Sequence, residues 1–416
     1  MLISVPTSAK SLSEYEFFVD PGDIDDLHKL ADKLHGKKVL HINATAFGGG
    51  VSEMLYTNVP LMQSAGIDAD WKVIHGSDDF YNVTKIMHNS LQGMDIPLTN
   101  QMKSIYEYYQ KMNADMMEGG YDFVIVHDPQ PAGLPTFLKD HRKIGKHWIW
   151  RCHLDLTNLN RSLWAYLIPF LSEYDANIFT MAHYVDGHID DLPPCYVIPP
   201  SIDPLSPKNM PLDDASVSRT LKKYKIDPDK PIITQVSRFD PWKDPLGVID
   251  AYRLAKKEIP DLQLILAASM ATDDPESWHY YEKTARHAGE DSDIFLLSNL
   301  QGVGNLEINA FQRGSDIVVQ KSIQEGFGLT VAEALWKEKP VIGGNVGGIT
   351  IQIDDGVNGY LVDSVEDCAK RIIDIYKDGD RATKFGIEGK EKVRQRFLST
   401  VELKSYFQIF NDLLEG

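Results

Sequence analysis

The chain has 416 residues, 43% of them hydrophobic and 25% charged, an ordinary globular mix long enough for two full cores without staples. Its 42 Lys+Arg against 60 Asp+Glu leave a net charge of −18, which repels phosphodiester backbones and anionic lipids and so excludes a nucleic-acid or membrane-surface binder. Three well-separated cysteines, Cys152, Cys195 and Cys368, exclude a zinc ribbon or a dense disulfide scaffold and suit a reducing compartment.

The first residues, MLISVPTSAKSLSEYEFF, have no basic region followed by an apolar stretch, so no signal peptide is expected there. No run of eighteen apolar residues occurs, and a cytoplasmic protein is the expectation. Residues 1–36 read as an extension with one helix. Lys38–Asn43 reads as a short apolar strand, and Ala44–Gly50 as a small-residue loop. Val51, Met54, Leu55 and Val59 then recur at near-helical spacing, and Gly66 closes the helix. Further strands are predicted at 71–76, 121–129, 147–155, 176–181 and 195–200. The Pro-rich stretch 192–211 lacks the N–H groups that a helix or central strand needs and marks a boundary.

After it the pattern restarts, with strands predicted at 231–240, 262–269, 293–299, 316–322, 339–345 and 359–363 and a last helix over 401–414. Apolar strands alternating with helices indicate parallel sheets covered on both faces. The fold class expected is therefore α/β, two Rossmann-like doubly wound parallel-sheet domains facing a cleft. The domains are placed at 1–200, which includes the extension, and 201–400. Residues 401–416 are expected to pack back on the first.

Arg238 and Lys243 follow the strand ITQVS in the loop RFDPWKDP, where two cations can clamp a diphosphate. Glu325 precedes a Gly-Phe-Gly turn that opens a helix, and Glu333 lies about two turns further on. The amides at such a helix start suit an anionic phosphate, and the two carboxylates suit sugar or ribose hydroxyls. Taken singly these residues also read as surface cations bridged to Asp240 and Asp244, and as a helix-dipole complement and a solvated glutamate. GGNVGG at 343–348 reads either as a close ligand approach or as a tight turn.

The order Arg238, Lys243, EGFGLTVAE, PVIGGNVGG and DGVNGYLV changes that balance. It resembles the large family of retaining nucleotide-sugar glycosyltransferases with GT-B architecture. NATAFGGGVSEML, VHDPQPAGLP and WRCHLDLTNLN extend the resemblance over the whole chain, toward the trehalose glycosyltransferring synthases within that family. The resemblance implies transfer of glucose from a nucleoside-diphosphate-glucose to free glucose, with retention, giving trehalose. It places Arg238 and Lys243 on the donor diphosphate, Glu325 at the transferred sugar and Glu333 at the ribose. The backbone of Phe327, Gly328 and Leu329 would lie against the donor, as would the loop Gly48, Gly49 and Gly50. His153 would sit near the transferred glucose. Gln324 departs from the Arg or small residue that many members carry before the first glutamate.

Acceptor contacts are expected from His127 and Asp128 at one strand end, from Arg151, Asp155 and Asn158 around another, and more weakly from His75. Trp148, Trp150, Cys152 and the tyrosines at 106–109 read as packing. Asp-x-Asp pairs occur at Asp23–Asp25, Asp68–Asp70, Asp291–Asp293 and Asp378–Asp380, as so acidic a chain produces by chance. No catalytic metal and no cofactor are expected, and the partners expected are small-molecule substrates, not nucleic acid or membrane. Oligomeric state is left open, with a homodimer as one expectation. Trehalose phosphorolysis on the same fold is the nearer alternative. An NAD-dependent oxidoreductase is the distant one, disfavoured because Ala46–Gly50 is not GxGxxG.

Overall fold

The computed structural model describes residues 1–185, 192–268, 270 and 275–415, the side chains of 275 and 276 excepted. It divides into two compact units, Met1–Ser201 with Ser399–Gly416, and Ile202–Leu398. Among the described residues no helix is long and apolar enough to cross a membrane.

The first unit is built on seven strands: β1 (Ile3–Ser4), β2 (Lys38–Asn43), β3 (Asp68–Val73), β4 (Tyr121–His127), β5 (Gly145–Arg151), β6 (Ala176–Phe179) and β7 (Cys195–Val197). Their order is β1-β3-β2-β4-β5-β6-β7. All pairs are parallel except β1 with β3. Every residue of β4 is buried, as a sheet covered on both faces requires. The helix Gly50–Ser64 follows β2, and Gly66, at φ +87°, makes the left-handed turn that ends it. The strand predicted at 71–76 begins earlier, at Asp68, because Asp68 and Asp70 face outward between buried Ala69 and Trp71. That alternation hides the strand from a search for continuous apolar runs. β1 escapes sequence reading because two residues carry no period.

The second unit holds six strands: β8 (Ile232–Val236), β9 (Gln263–Ala268), β10 (Ile294–Ser298), β11 (Ile317–Gln320), β12 (Val341–Gly344) and β13 (Gly359–Val362). Their order is β10-β9-β8-β11-β12-β13, parallel throughout. Ser269, the last residue of the predicted strand 262–269, and Gly416 lie outside the described residues. One face of the sheet packs Ile233, Leu264 and Val319 on Val248 and Tyr252, and the other packs Ile232 and Ile265 on Leu221 and Phe311.

The last helix, Ser399–Glu415, belongs to the first unit. Phe410 stacks on Phe123 of β4 at 4.4 Å, and Asn411 donates to the Leu30 carbonyl at 3.1 Å. Its polar contact to the sheet is Glu402, whose Oε1 takes Arg151 Nη1 at 2.5 Å, while Arg151 also donates to the Tyr406 hydroxyl and Ser201 to Glu402 Oε2. Arg151 is 1% exposed and Glu402 2%. Arg151, expected at the acceptor, is therefore a core residue: a sugar needs an accessible guanidinium, and this one is spent on a buried carboxylate. Burial opposes its charge, but Glu402 and Tyr406 outweigh that and hold its pKa above the ordinary arginine value.

Breaking such a pair leaves an uncompensated buried charge. Glu402→Ala should lower unfolding free energy by about 3–5 kcal/mol, read from the urea midpoint at unchanged m-value. A midpoint equal to that of the parent chain would show that the pair does not hold the helix.

Candidate active site

In the second unit the loop after β8 carries the expected cations. Asp240 caps the short turn Pro241–Lys243 by accepting the Lys243 N–H at 3.1 Å. Asp244, in the left-handed region at φ +46°, caps the following helix Pro245–Lys256 by accepting from Gly247. This folding turns Lys243 inward, where its Nζ meets Glu325 Oε2 at 2.7 Å. Ser322 donates to the same oxygen at 3.2 Å, and Gln235 of β8 holds the Lys243 carbonyl at 2.6 Å. Arg238 stays half exposed, 3.5 Å from Asp240 Oδ2. Lys321, at the end of β11, is buried and ion-paired with Asp244. The structure thus joins Lys243 to Glu325, which the resemblance placed on the diphosphate and on the transferred sugar of the donor.

Glu325 leads into Phe327, which is buried with its ring 5.4 Å from Phe397, and into Gly328 at φ +84°. Gly328 is the N-cap of the helix Leu329–Trp336, and its carbonyl accepts the Val331 N–H at 2.9 Å. The Phe327 carbonyl accepts from Gln352 Nε2 at 2.5 Å. The 343–348 loop packs directly on it: a Cβ at Gly348 would stand 2.4 Å from the Gly326 carbonyl oxygen. The glycine there serves loop-to-loop contact.

Glu333 is wholly buried, with Oε1 3.1 Å from Lys208 Nζ. Both carboxylate oxygens lack a hydrogen bond even so. A ribose diol there would have to reach a carboxylate that the protein now encloses.

In the first unit the loop after β2 ends in Gly48, at φ +81°, and Gly49, the N-cap of the helix beginning at Gly50. A Cβ at either of the first two would meet nothing within 4 Å. The positive φ, not crowding, therefore requires glycine at 48.

At the ends of β4 and β5 the structure brings together His127, Asp128 and His153. Asp128, left-handed at φ +65°, accepts the His153 backbone N–H at 2.8 Å. Burial pushes its carboxyl up to about 7. His127 Nδ1 lies 3.0 Å from His153 Nε2, and His127 Nε2 lies 3.0 Å from Nδ1 of His41 in β2. Burial holds all three imidazoles below their usual range, His41 at about 3, so they are neutral near pH 7.

The remaining expected acceptor residues are engaged elsewhere. Asp155 is buried and accepts the Thr157 N–H in its own turn. Asn158 is exposed, with its backbone against Gly93. His75 Nε2 lies 3.1 Å from the Met1 carbonyl, and Asn113 bonds both its backbone N–H and its carbonyl. Sequence reading missed His41, Lys321 and Gln235. The one available signal for His41 was a ring inside the apolar run KVLHIN. Of the Asp-x-Asp residues, Asp291 and Asp293 both hold Lys256, and Asp70 accepts the Tyr121 hydroxyl. No group of three or more His, Cys, Asp or Glu suited to a metal occurs among the described residues.

Two parallel α/β units with cations, glutamates and glycine turns at strand ends define a glycosyltransferase of GT-B architecture. Residues 217–392 match the family "Glycosyl transferases group 1", and residues 41–186 match "Trehalose synthase, N-terminal domain". The chain is 47% identical to a trehalose synthase of Rubrobacter xylanophilus, with 100% of each chain covered. It is 28% identical to a trehalose phosphorylase of Pleurotus sajor-caju, covering 88% of this chain and 57% of that one. Its fold is similar to α,α-trehalose 6-phosphate synthase from Burkholderia multivorans, at TM-score 0.71 and 13% identity over 91% of this chain and 99% of that one. It is also similar to Anabaena HepE in complex with UDP and glucose, at TM-score 0.63 and 15% identity over 91% and 100%. The chain belongs to the trehalose synthase family.

The neutral histidines tie stability to pH. The unfolded chain binds a proton at residue 41 below about pH 6.5, and the folded chain does so only near 3. The folded state is therefore penalised as pH falls through that window. Asp128 has the opposite sign: its raised pKa makes stability fall as pH rises from about 4 to 7. His41→Phe removes one proton from the balance, so between about pH 6 and 4 its stability should decline less steeply, by up to ~1.4 kcal/mol per pH unit. Denaturant titrations across that range check it, and parallel pH profiles would contradict it.

Proposed function

We propose that this protein transfers glucose from a nucleoside-diphosphate-glucose to free glucose, forming α,α-trehalose with retention at the transferred carbon. The observation that carries the donor half is the Lys243–Glu325 pair at 2.7 Å beside the start of the helix Leu329–Trp336. A diphosphate competes with Glu325 for the Lys243 ammonium. Once Lys243 turns to phosphate, Glu325 is released as an acceptor for sugar hydroxyls. One ligand thus satisfies both members. Arg238, half exposed and held only at 3.5 Å, is placed to join Lys243 on the phosphates.

As the bond between the anomeric carbon and the phosphate oxygen breaks, negative charge grows on the leaving nucleoside diphosphate. Lys243, Arg238 and the helix amides stabilise it. The ring carbon becomes electron-poor and takes the acceptor hydroxyl on the face the phosphate leaves. The departing phosphate oxygen accepts that hydroxyl's proton. No divalent ion is assigned a role, the two cations supplying the charge. In the first unit, His153 and Asp128 are the groups proposed for the sugars; His127, expected there too, is buried with both ring nitrogens on His41 and His153. The name of the Rubrobacter relative supports trehalose as product, and HepE with UDP and glucose supports a nucleotide donor on this fold.

The Pleurotus relative motivates a second reading, phosphorolysis of trehalose. The deciding experiment incubates the protein with UDP-, ADP- and GDP-glucose plus glucose, and separately with trehalose plus inorganic phosphate. NMR of the products is expected to show α,α-linked disaccharide only in the first set. Glucose 1-phosphate in the second and no disaccharide in the first would replace this reading by phosphorolysis.

Lys243→Ala should lower kcat/KM by about 10²–10³, the cost of removing one donor to a developing anion. Less than tenfold would place Lys243 away from the leaving group. Glu325→Ala should lose most of kcat while calorimetry still finds nucleotide binding. Exhaustive chelation should leave activity intact, and strict Mg²⁺ dependence would overturn the role given to the cations.

A further inference from the structure

Lys321 carries a charge into a nearly closed position, 6% exposed, and its ammonium is paired there with Asp244. An apolar pair of similar volume often stabilises a fold as well as a buried ion pair does, so stability alone does not explain the charge. What the pair adds is direction, since Lys321 cannot leave its partner without becoming an unpaired buried charge.

β8 and β11 are parallel neighbours, in register at Ile233 and Ile317, so the chain leaves both at the same edge, side by side. Three consecutive residues after β8 are each held there by one residue after β11. The Trp242 carbonyl accepts the Ile323 N–H at 2.8 Å. Lys243 Nζ meets Glu325 Oε2 at 2.7 Å. The Asp244 carboxylate meets Lys321. From β8 itself, Gln235 Nε2 donates to the Lys243 carbonyl at 2.6 Å.

Asp244 is the strained member of this set. A non-glycine residue at φ +46° persists only when its surroundings over-determine it. Its Oδ1 accepts the Gly247 N–H at 3.1 Å, and its Oδ2 takes Lys321. The carboxylate lies so close to the helix start that a Cβ at Gly247 would strike Oδ2. Pro241–Lys243 is a single three-residue turn, too short to hold its own shape. The direction in which Lys243 leaves the backbone is therefore set by its neighbour Asp244, and Asp244 is set by Lys321.

We propose that Lys321 is a positioning residue: through Asp244 it fixes the turn from which Lys243 reaches the donor diphosphate, a ligand that rests on the glycosyl-transfer reading. Lys321 itself does not touch the phosphates, because it is enclosed with its ammonium on Asp244.

Lys321→Met keeps the length of the side chain and removes its charge. In a ligand-free crystal structure of this variant the turn should shift by about 1 Å, and Lys243 Nζ should lie out of hydrogen-bond reach of Glu325, a misplacement that costs about 10²-fold in rate. With the nucleotide-glucose that serves as donor in the product assay, kcat/KM should fall by about that factor. In a Lys243→Ala background the same substitution should change kcat/KM by less than about twofold, because the group it positions is gone. A crystal structure with Lys243 still on Glu325 overturns the positioning role. So does an undiminished loss in the Lys243→Ala background, the sign of a general structural effect. If Lys321→Met does not fold, the charge-balanced Lys321→Met/Asp244→Asn takes its place in both measurements, since an asparagine still caps Gly247 and tolerates the left-handed turn. If the parent protein makes no glycoside, the functional reading fails, and the crystal structure of the variant alone decides whether Lys321 places Lys243.

Discussion

A parallel strand reaches its parallel neighbour only by crossing back over the sheet, so each strand of a parallel set delivers its carboxyl end to the same edge. Both units obey this constraint, apart from the two-residue β1. The central strands are buried on both faces and carry few polar groups. Chemistry is therefore displaced to the residues just past their ends. His127, Asp128 and His153 stand there in the first unit, and Arg238, Lys243, Ser322 and Glu325 in the second. Two sheets of different sequence thus present polar clusters at the same topological position, where α/β folds bind ligands.

Polar groups near these edges are stabilised in two different ways. Arg151 and Glu402 form a fully enclosed pair whose function is attachment: it joins the last helix to β5. Lys243 and Glu325 are only partly enclosed. The difference lies in accessibility rather than in chemistry, since both are a cation with a single carboxylate. The imidazole row is a third case, polar without charge, because burial excludes protonation and the rings satisfy one another. An overall charge of −18 reveals none of this. A chain rich in acid can still keep a cationic site for a phosphorylated ligand when the cations are held locally by turns such as Pro241–Lys243.

Much of the architecture was readable before any coordinates. Mainly apolar runs at 38–43, 121–127 and 232–236 are strands because residues buried on both faces are mostly apolar. Gly66 closes its helix because the chain needs a left-handed turn there. The glutamates at 325 and 333 stood out by spacing and by the Gly-Phe-Gly turn between them. Less was readable at the site. Arg151 looked like a ligand-binding cation at a strand end, but its partner Glu402 lies 251 positions away. His41 drew no reading within the strand KVLHIN, and only the register of β2 on β4 makes it a neighbour of His127. Glu333 sat at the right spacing for a solvent-reaching carboxylate, yet Lys208 and the surrounding chain enclose it.

The sequence by itself determined the two α/β repeats, the family and the identity of the polar residues at strand ends, because these depend on local periodicity and on motif order. The tertiary structure alone decided which of those residues pair with one another and which remain available. Pairing is a matter of distances between side chains remote in the chain. Availability follows from burial, which a residue acquires only when the elements around it have packed.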